Sequence, residues 1–326
     1  MILTVTLNAA LDVTYQVPAV DWDGVNRVRA VHRRAGGKGV NVARVLAALG
    51  QDVLVSGLVG GPIGQAIEAD LRAAGLPSAL TGITADSRTT LAVSETPPTG
   101  PSGTPATPEG PEASGGRAEG GSRRTALFNE PGPEVTPGEL ADFTRCYTSL
   151  LSGADVVVIS GSLPRGIPLD TYAALAAIAA DRGVPAIVDA DGEPLRHAPR
   201  GRPAVLKPNA EELARAVPGG TPAEGARALR DQGAESVVVS MGAAGLLAVT
   251  GEGTFRARMP YEVAGNPTGA GDSLVAGLAL GLAESAPWPE RLRRAAALGA
   301  AAVAAPVAGE FDRDVYADIH PQIIIT

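Results

Sequence analysis

The run Asp155-Val156-Val157-Val158-Ile159-Ser160, the stretch 168–182 that opens on Pro168 and stops before Gly183, and the run Ala186-Ile187-Val188-Asp189 together decide the fold class. Both runs are short and apolar without a polar face, so other elements must cover them on either side. The stretch between them is Ala-rich, with Pro at its start and Gly after its end, which are helix boundary signals. Strand, helix and strand in this succession form a parallel crossover unit. The pattern recurs outward in Met1-Ile2-Leu3-Thr4-Val5-Thr6-Leu7, 53–59, Ala204-Val205-Leu206-Lys207 and Ser236-Val237-Val238-Val239-Ser240. Between them, Val42, Val45, Leu46 and Leu49 fall at i, i+3, i+4, i+7 ahead of Gly50, and Leu140, Phe143, Tyr147 and Leu150 follow Pro137 at helical spacing. The expectation is a three-layer, doubly wound, mostly parallel α/β sheet, with ligands beyond the carboxyl ends of its strands.

At 326 residues, with 45% hydrophobic, 19% charged and 3% aromatic residues, the chain can bury a large core, built mainly from Ala, Val and Leu. One domain over 1–326 is expected. A formal charge of −8 opposes binding to a polyanion, so nucleic acid is not an expected partner. Cys146 is the only cysteine and has neither a disulfide partner nor metal-ligand company, which fits a reducing compartment. No apolar run approaches the roughly 20 residues of a bilayer span. The opening residues read as a strand and not as a leader, so the expected location is the cytoplasm, away from membranes.

One stretch breaks the rhythm. Residues 97–122 hold six Pro and seven Gly and no Val, Ile, Leu, Met or aromatic residue, so they cannot build a core. They separate Thr89-Thr90-Leu91-Ala92-Val93-Ser94 from Arg124-Thr125-Ala126-Leu127-Phe128-Asn129, two strand-like segments suited to a hairpin. A flexible loop within that hairpin is the reading; a linker between independent domains is the alternative, though each flank is short.

Two glycine-rich motifs carry chemistry. Gly36-Gly37-Lys38-Gly39-Val40-Asn41-Val42-Ala43 precedes an amphipathic helix, where backbone N–H groups and the helix dipole can meet an anion or a sugar. It is not a P-loop, because Lys38 precedes the last Gly and no Ser or Thr follows it; an ordinary tight turn is the other reading. Asn266-Pro267-Thr268-Gly269-Ala270-Gly271-Asp272-Ser273 feeds a second helix over 274–282. Its N–H groups can bind a transferring phosphoryl group while Asp272 accepts a proton from an attacking hydroxyl, or Asp272 simply caps the helix.

Taken together and in this order, the two motifs resemble the signatures of the PfkB (ribokinase-like) family of sugar kinases. Ser160-Gly161-Ser162-Leu163-Pro164-Arg165-Gly166, Lys207-Pro208-Asn209-Ala210-Glu211-Glu212 and Ser240-Met241-Gly242-Ala243-Ala244-Gly245 each follow an expected strand and each have a counterpart in the family. Asn266 departs from the Asp common there; an Asn-Pro version is familiar in the phosphosugar branch. The resemblance implies that Asp272 is the catalytic base and that Gly269, Ala270 and Gly271 form an anion hole. It implies that Asn209 and Glu212 organise Mg²⁺ through water, and that Lys207, Ser240, Gly242 and Gly245 face ATP. On the acceptor side it implies Asp12 at the end of the first strand, with Gly36, Gly37 and Asn41, for the sugar hydroxyls. Lys38, Arg88, Ser162 and Arg27 would serve the acceptor's own phosphate. It further implies a small β-sheet lid from excursions at about 13–34 and 86–130, a homodimer through that lid, and a phosphate-sensing role for Asn129-Glu130-Pro131-Gly132.

The function so implied is an ATP-dependent phosphosugar kinase acting on fructose 1-phosphate, with tagatose 6-phosphate and fructose 6-phosphate as alternative acceptors. Arg88 and Ser162 speak against a nucleoside or free-sugar kinase. A catalytically silent sugar-phosphate sensor would not require Asp272 and its glycine turn, and a Rossmann redox protein would need a G-x-G-x-x-G loop where Asn8-Ala9-Ala10-Leu11-Asp12 stands.

Overall fold

The computed structural model describes residues 1–95 and 125–326; the loop expected at 97–122, with Arg124, lies outside the described residues. In chain order the first half contains β1 Ile2–Thr6, β2 Ala10–Val17, β3 Ala30–Gly36, α1 Lys38–Ala48, β4 Val53–Gly60, α2 Gly61–Ala73, β5 Ser78–Ile83, β6 Arg88–Glu95, β7 Thr125–Asn129 and α3 Pro137–Leu150. Next come β8 Val156–Ser160, α4 Thr171–Ala180, β9 Ala186–Asp189, α5 Gly192–His197, β10 Val205–Leu206, α6 Ala210–Ala216 and α7 Pro222–Asp231. The chain closes with β11 Val237–Ser240, β12 Leu246–Val249, β13 Thr254–Arg258, α8 Ala270–Ala283, α9 Trp288–Val303, α10 Arg313–Ile319 and β14 Ile324–Ile325.

Ten strands make the large sheet, in the order β14-β13-β12-β11-β10-β9-β8-β1-β4-β5. From β5 across to β11 every pair is parallel, and β12, β13 and β14 extend it antiparallel. The alternation of side chains along each strand splits the core into two layers. Ile2, Val156, Val158 and Ile187 face one side, against Val42, Leu46, Ile67, Leu278 and Leu292 of α1, α2, α8 and α9. Leu3, Val157, Ile159 and Val188 face the other, against Phe143, Tyr147, Leu175, Leu213 and Leu229 of α3, α4, α6 and α7. The expected three-layer α/β architecture is therefore present. Helix starts are fixed locally: Thr136 and Glu139 form a capping box at α3, and Thr221 and Glu224 another at α7. Among the described residues no helix is long and apolar enough to cross a membrane.

The second sheet has four strands, in the order β3-β2-β6-β7. The expected hairpin pairs antiparallel, Thr90 opposite Asn129 through Ser94 opposite Thr125. Its partner strand β2 runs parallel to β6, with Ala10 opposite Arg88 and Asp12 opposite Thr90. Asp12 therefore does not end the first strand, as the sequence suggested: β1 stops at Thr6, and the chain crosses at 7–9 into the small sheet, where Asp12 is the third residue of β2. Only Leu7-Asn8-Ala9 separates the apolar run from the next strand, a connection too short to show as a loop, which hides the crossing from a reading of periodicity.

Candidate active site

The parallel strands end on one edge, and their carboxyl ends deliver Asn8, Ser162, Asp189, Lys207 and Ser240 to it. Facing them is the N-terminus of α8. Gly269, its N-cap, has φ 86°, and a Cβ there would meet Ala308 at 2.8 Å, so only glycine makes this turn. Ala270, Gly271 and Asp272 follow in the first helical turn: Ala270 N donates to the Pro267 carbonyl at 3.1 Å, and the helical ladder begins with Ser273 N on the Gly269 carbonyl, so the Gly271 and Asp272 N–H groups precede it. Asp272 is buried, and Asn41 Nδ2 of α1 donates to its Oδ2 at 2.8 Å. Burial first, and then the charge of Asp189, push the Asp272 carboxyl up to about 7, against the Asn41 hydrogen bond and the charges of Lys38 and Lys207.

Asp189 was not singled out in the sequence. It ends β9, is 1% exposed, and binds two ammonium groups, Lys207 Nζ at 3.1 Å and Lys38 Nζ at 3.3 Å. A fully buried carboxylate needs such partners. Burial disfavours the Lys38 charge, but Asp189, Asp272 and Glu212 prevail and its pKa lies above the ordinary value. Lys207, expected to face ATP, is buried beside the helix N-terminus, its Nζ 3.9 Å from where a Gly271 Cβ would stand. The signal for Asp189 was an acid closing a continuous apolar run at the ligand edge of the sheet.

On the small-sheet side, Gly36 has its place because Asp12 occupies it: a Cβ on Gly36 would fall 1.9 Å from Asp12 Oδ2. Burial raises the Asp12 pKa against a hydrogen bond from Thr90 and the charges of Arg88, Arg34 and Arg44. Gly37 is the N-cap of α1, leading directly to Lys38. Arg88 Nε donates to the Asn8 carbonyl at 3.2 Å, and Asn8 Nδ2 donates to Ser162 Oγ at 3.0 Å. Burial lowers the Arg88 pKa, opposed by Asp12 and Glu130. Arg88, Ser162 and Asp12 thus gather around the start of β2. Arg27 does not join them: it is exposed in the connection between β2 and β3, and among the described residues no hydrogen bond or ion pair ties it to the group.

Asn209 is the N-cap of α6. Its Oδ1 accepts from Glu212 N and Glu212 Oε2 accepts from Asn209 N, both at 2.8 Å, so the two side chains lock each other. Ser240 bridges Asn209 across the sheet. The Gly242–Ala244 turn follows, with Gly242 and Gly245 at positive φ, beside a cavity of about 340 Å³ walled by Met241, Leu246, Arg258 and Met259.

The site is a polar edge with a buried carboxylate at a helix N-terminus, two lysines beside it and an arginine–serine pair facing it. The profile of the pfkB family carbohydrate kinases matches residues 5–101 and 124–313. Phosphofructokinase-2 from Escherichia coli, solved in complex with potassium, is 30% identical with TM-score 0.85 over 98% of each chain. The same enzyme with fructose-6-phosphate is 29% identical, TM-score 0.81, over 98% of each chain. A Thermotoga maritima protein described as a possible 1-phosphofructokinase is 25% identical, TM-score 0.82, over 100% of this chain and 98% of that one. This chain belongs to the pfkB family of carbohydrate kinases, with the ribokinase-like arrangement of a large sheet and a small one. Its activity is phosphoryl transfer to an alcohol acceptor.

Proposed function

We propose that the protein is an ATP-dependent phosphosugar kinase that converts fructose 1-phosphate to fructose 1,6-bisphosphate. The observation that carries this reading is the pairing of Arg88 and Ser162 through Asn8, across from Asp12. A guanidinium and a hydroxyl held together suit a phosphate, and the Asp12 carboxylate can accept from two sugar hydroxyls. Fructose 6-phosphate is the second reading, because the Escherichia coli relative was solved with it; tagatose 6-phosphate would use the same groups.

In this reading Asp272 takes the proton of the acceptor hydroxyl as the new O–P bond forms and the bond to ADP breaks. The N–H groups of Gly271 and Asp272, with Lys207 and Lys38, hold the charge of the phosphoryl group in flight. Met241, Leu246 and Met259 wall the nucleotide base, and Ser240, Gly242 and Gly245 shape the turn beside it. Glu212 leaves Oε1 outside the capping box, so Asn209 and Glu212 fit a hydrated cation held through its waters. Mg²⁺ there would neutralise charge on the nucleotide phosphates.

The small sheet would cover the sugar and exclude water, with Glu130, whose Oε2 accepts from Thr89 N at 2.7 Å, tying its rim. Val31, Leu127 and Phe128 are exposed on it, which supports a homodimer through this sheet. Sedimentation equilibrium tests that point, and a monomer at micromolar concentration would refute it.

An ATP-coupled assay across fructose 1-phosphate, fructose 6-phosphate, tagatose 6-phosphate and free fructose tests the function. The highest kcat/KM is expected for fructose 1-phosphate; a preference for free fructose would overturn the phosphosugar reading.

A further inference from the structure

Asn8 lies between β1 and β2, is 7% exposed, and is the only residue that touches both phosphate-binding candidates through hydrogen bonds among the described residues. Each contact constrains a donor. A serine hydroxyl has one proton and two lone pairs. With Asn8 Nδ2 donating to Ser162 Oγ at 3.0 Å, one lone pair is occupied and the hydroxyl proton points elsewhere. With the Asn8 carbonyl holding Arg88 Nε at 3.2 Å, both terminal nitrogens of the fork stay available. The remaining polar atom, Asn8 Oδ1, is buried without a partner. It faces Gly132, where a Cβ would stand 2.5 Å away. The return of the chain from the small sheet therefore clamps the amide in place.

We propose that Asn8 is the positioning residue of the acceptor-phosphate pocket, fixing Ser162 as a hydrogen-bond donor and presenting the terminal nitrogens of Arg88 to the same phosphate. The assignment rests on the phosphosugar reading. It also explains the residue type. An Asp here can only accept, so it would turn the Ser162 proton toward itself and set a negative charge where a phosphate must bind. An alanine would leave the hydroxyl free to rotate.

Steady-state kinetics on purified Asn8→Asp, Asn8→Ala, Ser162→Ala and Asn8→Ala/Ser162→Ala test this, with fructose 1-phosphate and ATP varied separately. Asn8→Asp is expected to raise KM for the phosphosugar at least about 10-fold, the worth of a hydrogen bond to a charged group, while KM for ATP and kcat hold within about threefold. The double variant is expected to be no worse than the poorer single one within about twofold, because both remove one device. An unchanged phosphosugar KM in Asn8→Asp, or effects of Asn8→Ala and Ser162→Ala that multiply, would overturn the assignment. Thermal unfolding reports whether the variants fold. If those at Asn8 do not, Gly132→Ala carries the test by pushing on the amide from outside. It should raise the same KM, and an unchanged value in folded protein would overturn the proposal. A wild-type preference for unphosphorylated sugar overturns both this proposal and the reading beneath it, whereas a phosphosugar preference with uncoupled variants overturns only the role of Asn8.

Discussion

Asn41 Nδ2 stands 2.8 Å from Asp272 Oδ2, joining residues 231 positions apart on two helices that pack on the same face of the large sheet. The contact ties the helix that follows the Gly36-Gly37-Lys38-Gly39 turn to the N-terminus of α8. It fixes the orientation of the carboxylate proposed as the base.

Replacing Asp272 by Asn should therefore leave ATP and sugar binding within a few fold and lower the chemical rate by about 10²–10⁴. Equilibrium titration with single-turnover kinetics checks it. Undiminished turnover would remove Asp272 from the mechanism.

The same carboxyl predicts a pH profile. With its pKa near 7, raised by burial and Asp189, kcat/KM should climb with pH to a plateau above that value. Removing the raising charge with Asp189→Asn should move the limb to lower pH, although the released lysines will cost rate. Asn41→Ala removes a stabilising hydrogen bond and should move it higher. A limb that ignores both substitutions would assign it to another group.

Stability should respond as well, with a definite sign. The folded pKa exceeds the ordinary value of 3.8, so the folded state binds this proton more tightly and loses stability as pH rises from about 4 to about 7. Above that range the full cost of a buried carboxylate applies. Asp272→Asn carries none of it, so the variant should gain Tm over the parent at pH 8 and much less at pH 5, which calorimetry at the two pH values reads directly.

Arg88→Ala should reduce kcat/KM for a phosphosugar at least about 10-fold, since a charge-assisted contact of this kind contributes roughly 1.5–3 kcal/mol. Residual activity on free fructose should hardly change. Equal losses on both would mean that Arg88 supports the fold or Asp12 and not the acceptor phosphate.

Gly36→Ala places a methyl 1.9 Å from Asp12 Oδ2. The carboxylate must move, so KM for the sugar should rise at least about 10-fold while KM for ATP stays within twofold. Isothermal titration with each ligand separates the two effects.

Much of this was written in the chain. Apolar runs with no polar face, such as 155–160 and 186–189, announced a covered parallel sheet, and the Gly269 to Asp272 turn announced the start of a helix. Other features were illegible for physical reasons. Asp189 looks like any strand end until β10 and α1 bring Lys207 and Lys38 against it from 18 and 151 positions away. Asn8 reads as part of a turn, because its worth lies in partners 80 and 154 residues distant. Short antiparallel strands such as β14 owe their existence to a neighbour's edge rather than to their own pattern. Arg27 shows the converse, a residue with the right chemistry in a segment that the described fold leaves exposed.

The group proposed for the acceptor, Asp12, Arg88 and Ser162, is assembled from the small sheet and the ends of β1 and β8, while Asp189, Lys207 and Asp272 belong to β9, β10 and α8. Lys38 and Asn41 on α1 are the hinge of shared contacts between them. For evolution this is a separable inheritance. On the proposed reading, acceptor choice can drift through changes around the start of β2 without retuning the base, and a protein engineer seeking a new sugar can leave the proposed phosphoryl machinery untouched.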